Sequence, residues 1–321
     1  MHFVLLKLSA IGDCICTVPL VRALQRAYPN SKISWIISQP AYSLLEGLSG
    51  VDFIVVKKPR SVRDYLNFRK LIQPYSFDVL LAVHTSLRAN LMLPFIQAAR
   101  KIGFDYKRAK DGQRLFVRES IAAKPTGHFV DRYLQFAEYL GVRDLTPEWN
   151  LTIAPAERAW AVNLLKGSSK WLALNPVAST SQKTWSVQGY AELLQRAHTE
   201  LNYQIVITGG PGEAEQQFVA AIVQAARVPV LNLSGDQAVN LKQLAALYEK
   251  VTVVVAPDTG PMHLADAMGT KVIGLFAVTD PKISGPYHNQ RYVINHYKNS
   301  MNTIRTDEII EQLKNVANCI A

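Results

Sequence analysis

The chain has 321 residues, 49% of them hydrophobic, and a formal net charge of +10. That apolar content fills two ordinary domains or one large one and excludes a disordered chain. No apolar run approaches the roughly 20 residues of a membrane-spanning helix, and no signal-peptide layout with a cleavage site is visible, so a cytoplasmic protein is expected.

Strand-like and helix-like stretches alternate from the N-terminus. The runs "HFVLLKL", "KISWII", "DFIVV", "FDVLLAV" and "KIGF" read as strands, and between them "VPLVRALQRAY", "VRDYLNFRKLI" and "LRANLMLPFIQAA" carry helical spacing. From residue 171 the pattern restarts with "WLALNP", "YQIVITGG", "VPVLNLSG", "VTVVVAPDTG" and "KVIGLF". Such alternation means parallel strands with crossover helices. The stretch 141–155 lacks periodicity, carries two prolines and reads as the linker between two domains, with a helix "AERAWAVNLLKG" following it. The expected architecture is α/β, with two Rossmann-like domains, 1–150 and 151–321, facing across a cleft.

The loops after these strands carry the polar chemistry. "KLSAIGDC" (7–14) sets Asp13 after the first strand, as either a helix cap or a catalytic base. "NPVASTSQKTW" (175–185) offers Ser179, Thr180 and Lys183, a set that suits phosphate, although a solvated surface loop has the same look. "ITGGPGEAEQ" (207–216) places Glu213 at a helix start behind three glycines, where a carboxylate can accept ribose hydroxyls; glycine turns after strands are also common in themselves. "APDTGPMHLADAMG" (256–269) puts Asp258, Thr259 and Gly260 ahead of a helix with His263 in its first turn, and Asp258 could simply cap that helix. No G-x-G-x-x-G follows the first strand of either half, which argues against a nicotinamide or flavin dinucleotide. Cys14, Cys16 and Cys319 form no even framework or zinc pattern and read as indifferent thiols.

Charge is unevenly divided. Residues 1–150 hold 21 Lys and Arg against 12 Asp and Glu, and the remainder 14 against 13. The basic residues of the first half gather in "KKPRSVR" (57–63), at Arg88 and in "DYKRAKDGQR" (105–114), which points to a polyanionic partner. No RNA-recognition, helix-turn-helix or zinc signature directs them to nucleic acid.

Taken together, "DTGPMHLADAMG" at 258–269, "KTW" at 183–185 and "SAIGD" at 9–13 resemble the heptosyltransferases of lipopolysaccharide inner-core synthesis, GT-B glycosyltransferases that use ADP-heptose. The resemblance runs from residue 3 to about 290. Within the family, "LSAIGD", "RAKDGQRLF" and "APDTGP" look most like heptosyltransferase I, which adds heptose to Kdo on lipid A, including enzymes acting on phosphorylated Kdo. The resemblance implies Asp13 as base, Ser179, Thr180 and Lys183 at the donor diphosphate, and backbone N–H groups of Thr259 and Gly260 beside it. It further implies Glu213 at the adenosine ribose, Asp258 at the heptose hydroxyls, and His263 nearby. Arg60, Arg63, Arg88, Lys107, Arg108 and Arg114 are the expected acceptor-binding residues, on an enzyme peripheral to the cytoplasmic face of the inner membrane. "LFAVTDP" at 275–281 departs from the usual glycine at Ala277, which leaves the course of that loop open. No Asp-x-Asp pair is present, so fixed protein charge is expected in place of a metal, and no cofactor is expected. A later-acting heptosyltransferase, another glycosyltransferase of the family, or a non-catalytic nucleotide- or polyanion-binding protein are the alternatives.

Overall fold

The computed structural model describes residues 1–125, 127–168 and 170–318, and the chain divides into two compact units, Met1–Thr152 and Ile153–Ala321. The first unit contains strands β1 (His2–Leu6), β2 (Lys32–Ser38), β3 (Asp52–Val56), β4 (Phe77–Leu81), β5 (Ala98–Gly103) and β6 (Glu119–Ser120). They pair in parallel in the order β3-β2-β1-β4-β5-β6. Its helices are α1 (Ile11–Ala27), α2 (Gln39–Leu45), α3 (Val62–Ile72), α4 (Leu87–Asn90) and α5 (Phe129–Tyr139).

The second unit opens with α6 (Pro155–Leu164) and continues with β7 (Trp171–Leu174), α7 (Val187–Thr199), β8 (Gln204–Thr208), α8 (Glu213–Ala226) and β9 (Val230–Leu233). Then come α9 (Leu241–Lys250), β10 (Val253–Pro257), α10 (Gly260–Ala267), β11 (Lys271–Phe276), α11 (Pro281–Ser284), β12 (Ile294–Asn295) and α12 (Thr306–Asn318). Its sheet is again parallel, in the order β12-β11-β10-β7-β8-β9. Both units are thus doubly wound α/β sheets, as expected. Their central strands are covered on both faces, and so read as unbroken apolar runs: Phe3 to Leu6 and Val253 to Ala256 are wholly buried.

Three local features differ from the sequence reading. Helix α1 starts at Ile11, so Asp13 lies in its first turn rather than on a loop ahead of it. The helix continues through Pro19, which cannot donate to the Ile15 carbonyl. The Trp149 indole N–H fills that gap at 3.0 Å. Second, 87–99 is not one helix. Pro94 lacks an N–H and disfavours helical backbone before it, so α4 stops at Asn90, a short 3-10 turn follows at Leu93–Phe95, and β5 begins at Ala98.

The third difference concerns the connection between the units. Residues 141–154 form no helix or strand, but they are not a loose linker. Trp149 is buried, and Arg22 of α1 donates to the Trp149 carbonyl at 3.3 Å and the Asn150 carbonyl at 2.7 Å. The segment therefore packs on the first unit as far as Thr152, two residues beyond the expected boundary.

Candidate active site

In an open parallel sheet the loops part where strand order reverses, and ligands bind there, at the carboxyl ends of the strands. In the first unit this point lies between β1 and β4. Lys7 follows β1 and its side chain is only 6% exposed. It donates to Asp13 Oδ2 at 3.0 Å and to the Tyr133 hydroxyl of α5 at 2.9 Å, and it lies 5.0 Å from the centre of the Tyr133 ring. Burial works against this ammonium, but Tyr133 and Asp13 outweigh it and raise the Lys7 pKa well above the ordinary lysine value. The Asp13 side chain keeps 34% exposure. The ammonium end of this ion pair is buried and the carboxylate end is partly open.

His84, just past β4, closes the opposite side. Its backbone N–H donates to the Leu6 carbonyl at 3.0 Å, and its Nδ1 accepts from the Leu8 N–H at 3.0 Å. That bond requires an unprotonated Nδ1, which leaves Nε2–H as the donor of the neutral ring. Burial, aided by Lys7, pushes the imidazole down to about 4. Cys14 is buried behind this group, and its thiol is pushed up to about 12 by burial, so it is a packing group, as is buried Cys16. Cys319 lies outside the described residues.

Below this point, Gln113 pins the basic loop. Its wholly buried amide donates to the Ala82 and His84 carbonyls at 2.9 and 3.1 Å, and its oxygen accepts from the Phe104 N–H at 3.0 Å. The turn before it needs left-handed backbone at Asp111 and Gly112, with φ of 51° and 73°. Asp111 accepts from the Leu87 N–H at 3.0 Å, tying the loop to α4.

In the second unit the strand order reverses between β7 and β10. Lys183, in the 3-10 turn after β7, donates to Asp258 Oδ2 at 2.7 Å. The same oxygen accepts from Thr279 at 2.8 Å and more distantly from Ser284 at 3.4 Å. Asp258 does not cap α10; Thr259 does, its hydroxyl accepting from the Met262 N–H. The Asp258 carboxylate is therefore free to organise the loops rather than the helix. Beside it the first N–H groups of α10 form an anion-favouring terminus.

The family model for glycosyltransferase family 9 (heptosyltransferase) matches residues 65–313. The chain belongs to glycosyltransferase family 9. This glycosyltransferase is 34% identical over 294 residues to the lipopolysaccharide core heptosyltransferase OpsX of Haemophilus influenzae, spanning 92% of this chain and 84% of that one. Its fold matches a family 9 glycosyltransferase of Veillonella parvula with a TM-score of 0.84 at 20% identity, over 98% and 96% of the two chains. It also matches the E. coli heptosyltransferase WaaC solved with ADP, with a TM-score of 0.81 at 18% identity, over 98% and 100%. The glycosyltransferase is thus an enzyme of the lipopolysaccharide core heptosyltransferase family with the GT-B fold.

Of the expected donor residues of this glycosyltransferase, Ser179, Thr180, Lys183, Asp258, Thr259, Gly260 and His263 follow β7 or β10, the strands of the second reversal point, whereas Glu213 follows β8. Ser179 and Thr180 are exposed on the loop that carries Lys183, and His263 is half-buried in the first turn of α10. Lys183 and Asp258, expected at different parts of the donor, are ion-paired to each other. Glu213 is exposed at the first residue of α8 and accepts from Gln217, whereas Glu215 turns back to the Gly210 N–H and holds the glycine turn. Ala277 is buried in the core, and the loop it begins delivers Thr279 to Asp258.

Of the acceptor candidates, Arg60, Arg63, Arg88, Lys107 and Arg114 have exposed side chains. Arg108 differs. It pairs with buried Asp105, donates to Gln135 at 2.6 Å and to the Ala122 carbonyl at 2.8 Å, and is spent on holding the loop. Sequence reading passed over Lys7, His84, Thr279 and Glu215. A lysine inside an apolar strand run was the one available signal, since such a charge must find a partner on folding.

Proposed function

We propose that the enzyme transfers L-glycero-D-manno-heptose from ADP-heptose to a Kdo residue of lipid A, with inversion at the anomeric carbon, the first unit taking the acceptor and the second the donor. The observation that carries this reading is the Asp13 carboxylate, held by Lys7 at one end and open at the other. Binding a polyanion would not call for a carboxylate in that place; accepting a proton from a hydroxyl does.

In the reaction, the acceptor oxygen attacks the anomeric carbon from the face opposite ADP and loses its proton to Asp13. The bond from that carbon to the phosphate oxygen breaks, and its electron pair leaves with ADP. Negative charge grows on the diphosphate, where Lys183 and the α10 N–H groups stabilise it without reorganising. Asp258, kept in place by Thr279 and Ser284, accepts from heptose hydroxyls, and Glu213 from the ribose. Exposed Arg88, Lys107 and Arg114 meet acceptor phosphate or carboxylate groups, whose charge-assisted hydrogen bonds are about twice as strong as neutral ones. A phosphate on Kdo fits this basic surface.

Mass spectrometry of reactions with ADP-heptose tests the reading. The acceptors are Kdo-lipid A, the same molecule with a Kdo phosphate, and each of these already carrying one heptose. A mass gain of one heptose on either of the first two supports it. Transfer confined to the heptose-bearing acceptors would make this a later-acting heptosyltransferase and overturn the acceptor assignment.

A further inference from the structure

His84 stands at the first reversal point with one edge of its ring spent and the other unspent. Its backbone N–H donates to the Leu6 carbonyl at 3.0 Å, and its carbonyl accepts from the buried Gln113 amide at 3.1 Å. A third bond, from the Leu8 N–H to Nδ1 at 3.0 Å, fixes the plane of the ring. With Nδ1 an acceptor, the proton of the neutral imidazole is on Nε2. Among the described residues no hydrogen-bond partner meets that Nε2–H. Polar groups enclosed by protein are nearly always paired, so an unspent donor on a partly buried ring points to a partner from outside the chain.

The charged groups that act on the ring are Lys7, Asp13 and Lys58. Both lysines disfavour a proton on it and Asp13 favours one; burial together with the lysines prevails, and the ring stays neutral. One stretch of backbone, Leu6 to Leu8, holds both polar groups. His84 is tied to it through Leu6 and Leu8, and Asp13 through the Lys7 side chain. A fixed donor therefore stands beside a fixed carboxylate. A hydroxyl bonded to Asp13 alone leaves its sugar free to turn about that single bond. A second contact removes the freedom before reaction, which is how a bound geometry lowers the barrier.

We propose that His84 recognises the acceptor sugar, its Nε2–H donating to an oxygen next to the attacking hydroxyl, so that this hydroxyl is held against Asp13. A neutral N–H reads the position of an oxygen rather than its charge, which sets His84 apart from the lysines and arginines of the first unit. The inference rests on the reading of Asp13 as the base and deepens it.

Two substitutions divide the ring between its two edges. His84→Asn puts an amide oxygen where Nδ1 lies, keeps the bond from Leu8 and has no group at Nε2. His84→Gln reaches the Nε2 position with an amide N–H and gives up the bond from Leu8. Both are compared with the wild type for acceptor kcat/KM, ADP affinity and melting temperature. The acceptor is whichever the wild type uses of Kdo-lipid A, its Kdo-phosphorylated form, and each of these carrying one heptose. His84→Asn should lower kcat/KM about five- to tenfold, the loss of one hydrogen bond, with melting temperature and ADP affinity kept. The loss should be the same at low and raised salt, because no charge is involved. His84→Gln should melt a few degrees lower and stay close to the wild-type kcat/KM. The reverse order, or equal loss in both variants, would make His84 a brace for the Leu6–Leu8 backbone and overturn the proposal. So would a wild-type rate in His84→Asn, or a loss that salt abolishes. In each of these cases heptose is still transferred and the functional reading stands. Transfer by the wild type to none of the four acceptors would instead overturn that reading, and this inference with it.

Discussion

The Lys7 ammonium donates to the Asp13 carboxylate at 3.0 Å from a position almost sealed from solvent, while the carboxylate itself stays one-third exposed. A lysine in the strand run and an aspartate in the first helical turn are thus one device, with Tyr133 of α5 as its third member. The buried partner fixes the rotamer of the open one.

Asp13→Asn is therefore expected to keep the fold and the ADP affinity and to lower kcat by about 10²–10⁴-fold, the usual contribution of a general base. Lys7→Met removes the buried charge at similar volume and leaves Asp13 to water and to more than one rotamer. It should lower kcat at least tenfold with ADP affinity unchanged. Wild-type turnover by Asp13→Asn, measured with isothermal titration of ADP alongside, would remove the carboxylate from the chemistry.

On the donor side, Lys183→Ala should weaken ADP binding by about 10–100-fold, the range for a lost hydrogen bond to a charged group. Thr279→Val leaves that ammonium in place but removes one of the donors that orient Asp258, so the expected result is a several-fold higher KM for ADP-heptose with little change for ADP. Calorimetry for ADP and initial rates for the sugar nucleotide separate the two. Equal losses for both ligands in Thr279→Val would mean that the residue supports the loop as a whole.

ADP affinity is expected to be the same with and without EDTA, since Lys183 and the α10 N–H groups supply the positive field. Loss of binding in EDTA that Mg²⁺ restores would show that a metal carries this charge instead.

The basic loop separates two classes of arginine. Arg108→Ala breaks a buried pair with Asp105 and should cost about 3–5 kcal/mol of stability, visible as a lower melting temperature. Arg88→Ala and Arg114→Ala alter exposed groups, and should raise the acceptor KM while leaving both melting temperature and ADP affinity in place. A melting temperature unchanged in Arg108→Ala would return that residue to the acceptor candidates.

His84 gives a pH signature. Its folded pKa of about 4 lies below the unfolded value near 6.5, so well above pH 6.5 both states are neutral and the group adds no pH dependence to stability. As pH falls from 6.5 to 4 the unfolded chain binds the proton first, and stability declines by an amount of order 3 kcal/mol. His84→Gln should flatten that part of the stability curve. An imidazole resonance of His84 titrating near 6.5 would show that the ring is not held neutral.

Much of this protein is legible from its residues in order. The two sets of apolar runs announce two parallel sheets, because a strand covered on both faces has no polar side to show. The candidate site residues are visible for a related reason: in such sheets ligand-facing groups sit in the loops and first helical turns after strands, so Asp13, Lys183 and Asp258 stand out beside glycine, proline and hydroxyl residues. What the linear order could not disclose is which of these groups meet. Lys183 and Asp258 are 75 positions apart, and Lys7 and Tyr133 are 126 apart; each pair meets only because strand order or helix packing brings distant segments together. The same holds for Arg108, whose charge is plain in the sequence while its buried partners are not. It holds too for α1, which continues through Pro19 because Trp149 arrives from the end of the unit to satisfy the carbonyl that the proline leaves open. Local sequence determines where a polar group can stand, and tertiary packing decides whether it is spent on the fold or left for a ligand, because a buried donor or charge must find its partner wherever the folded chain provides one.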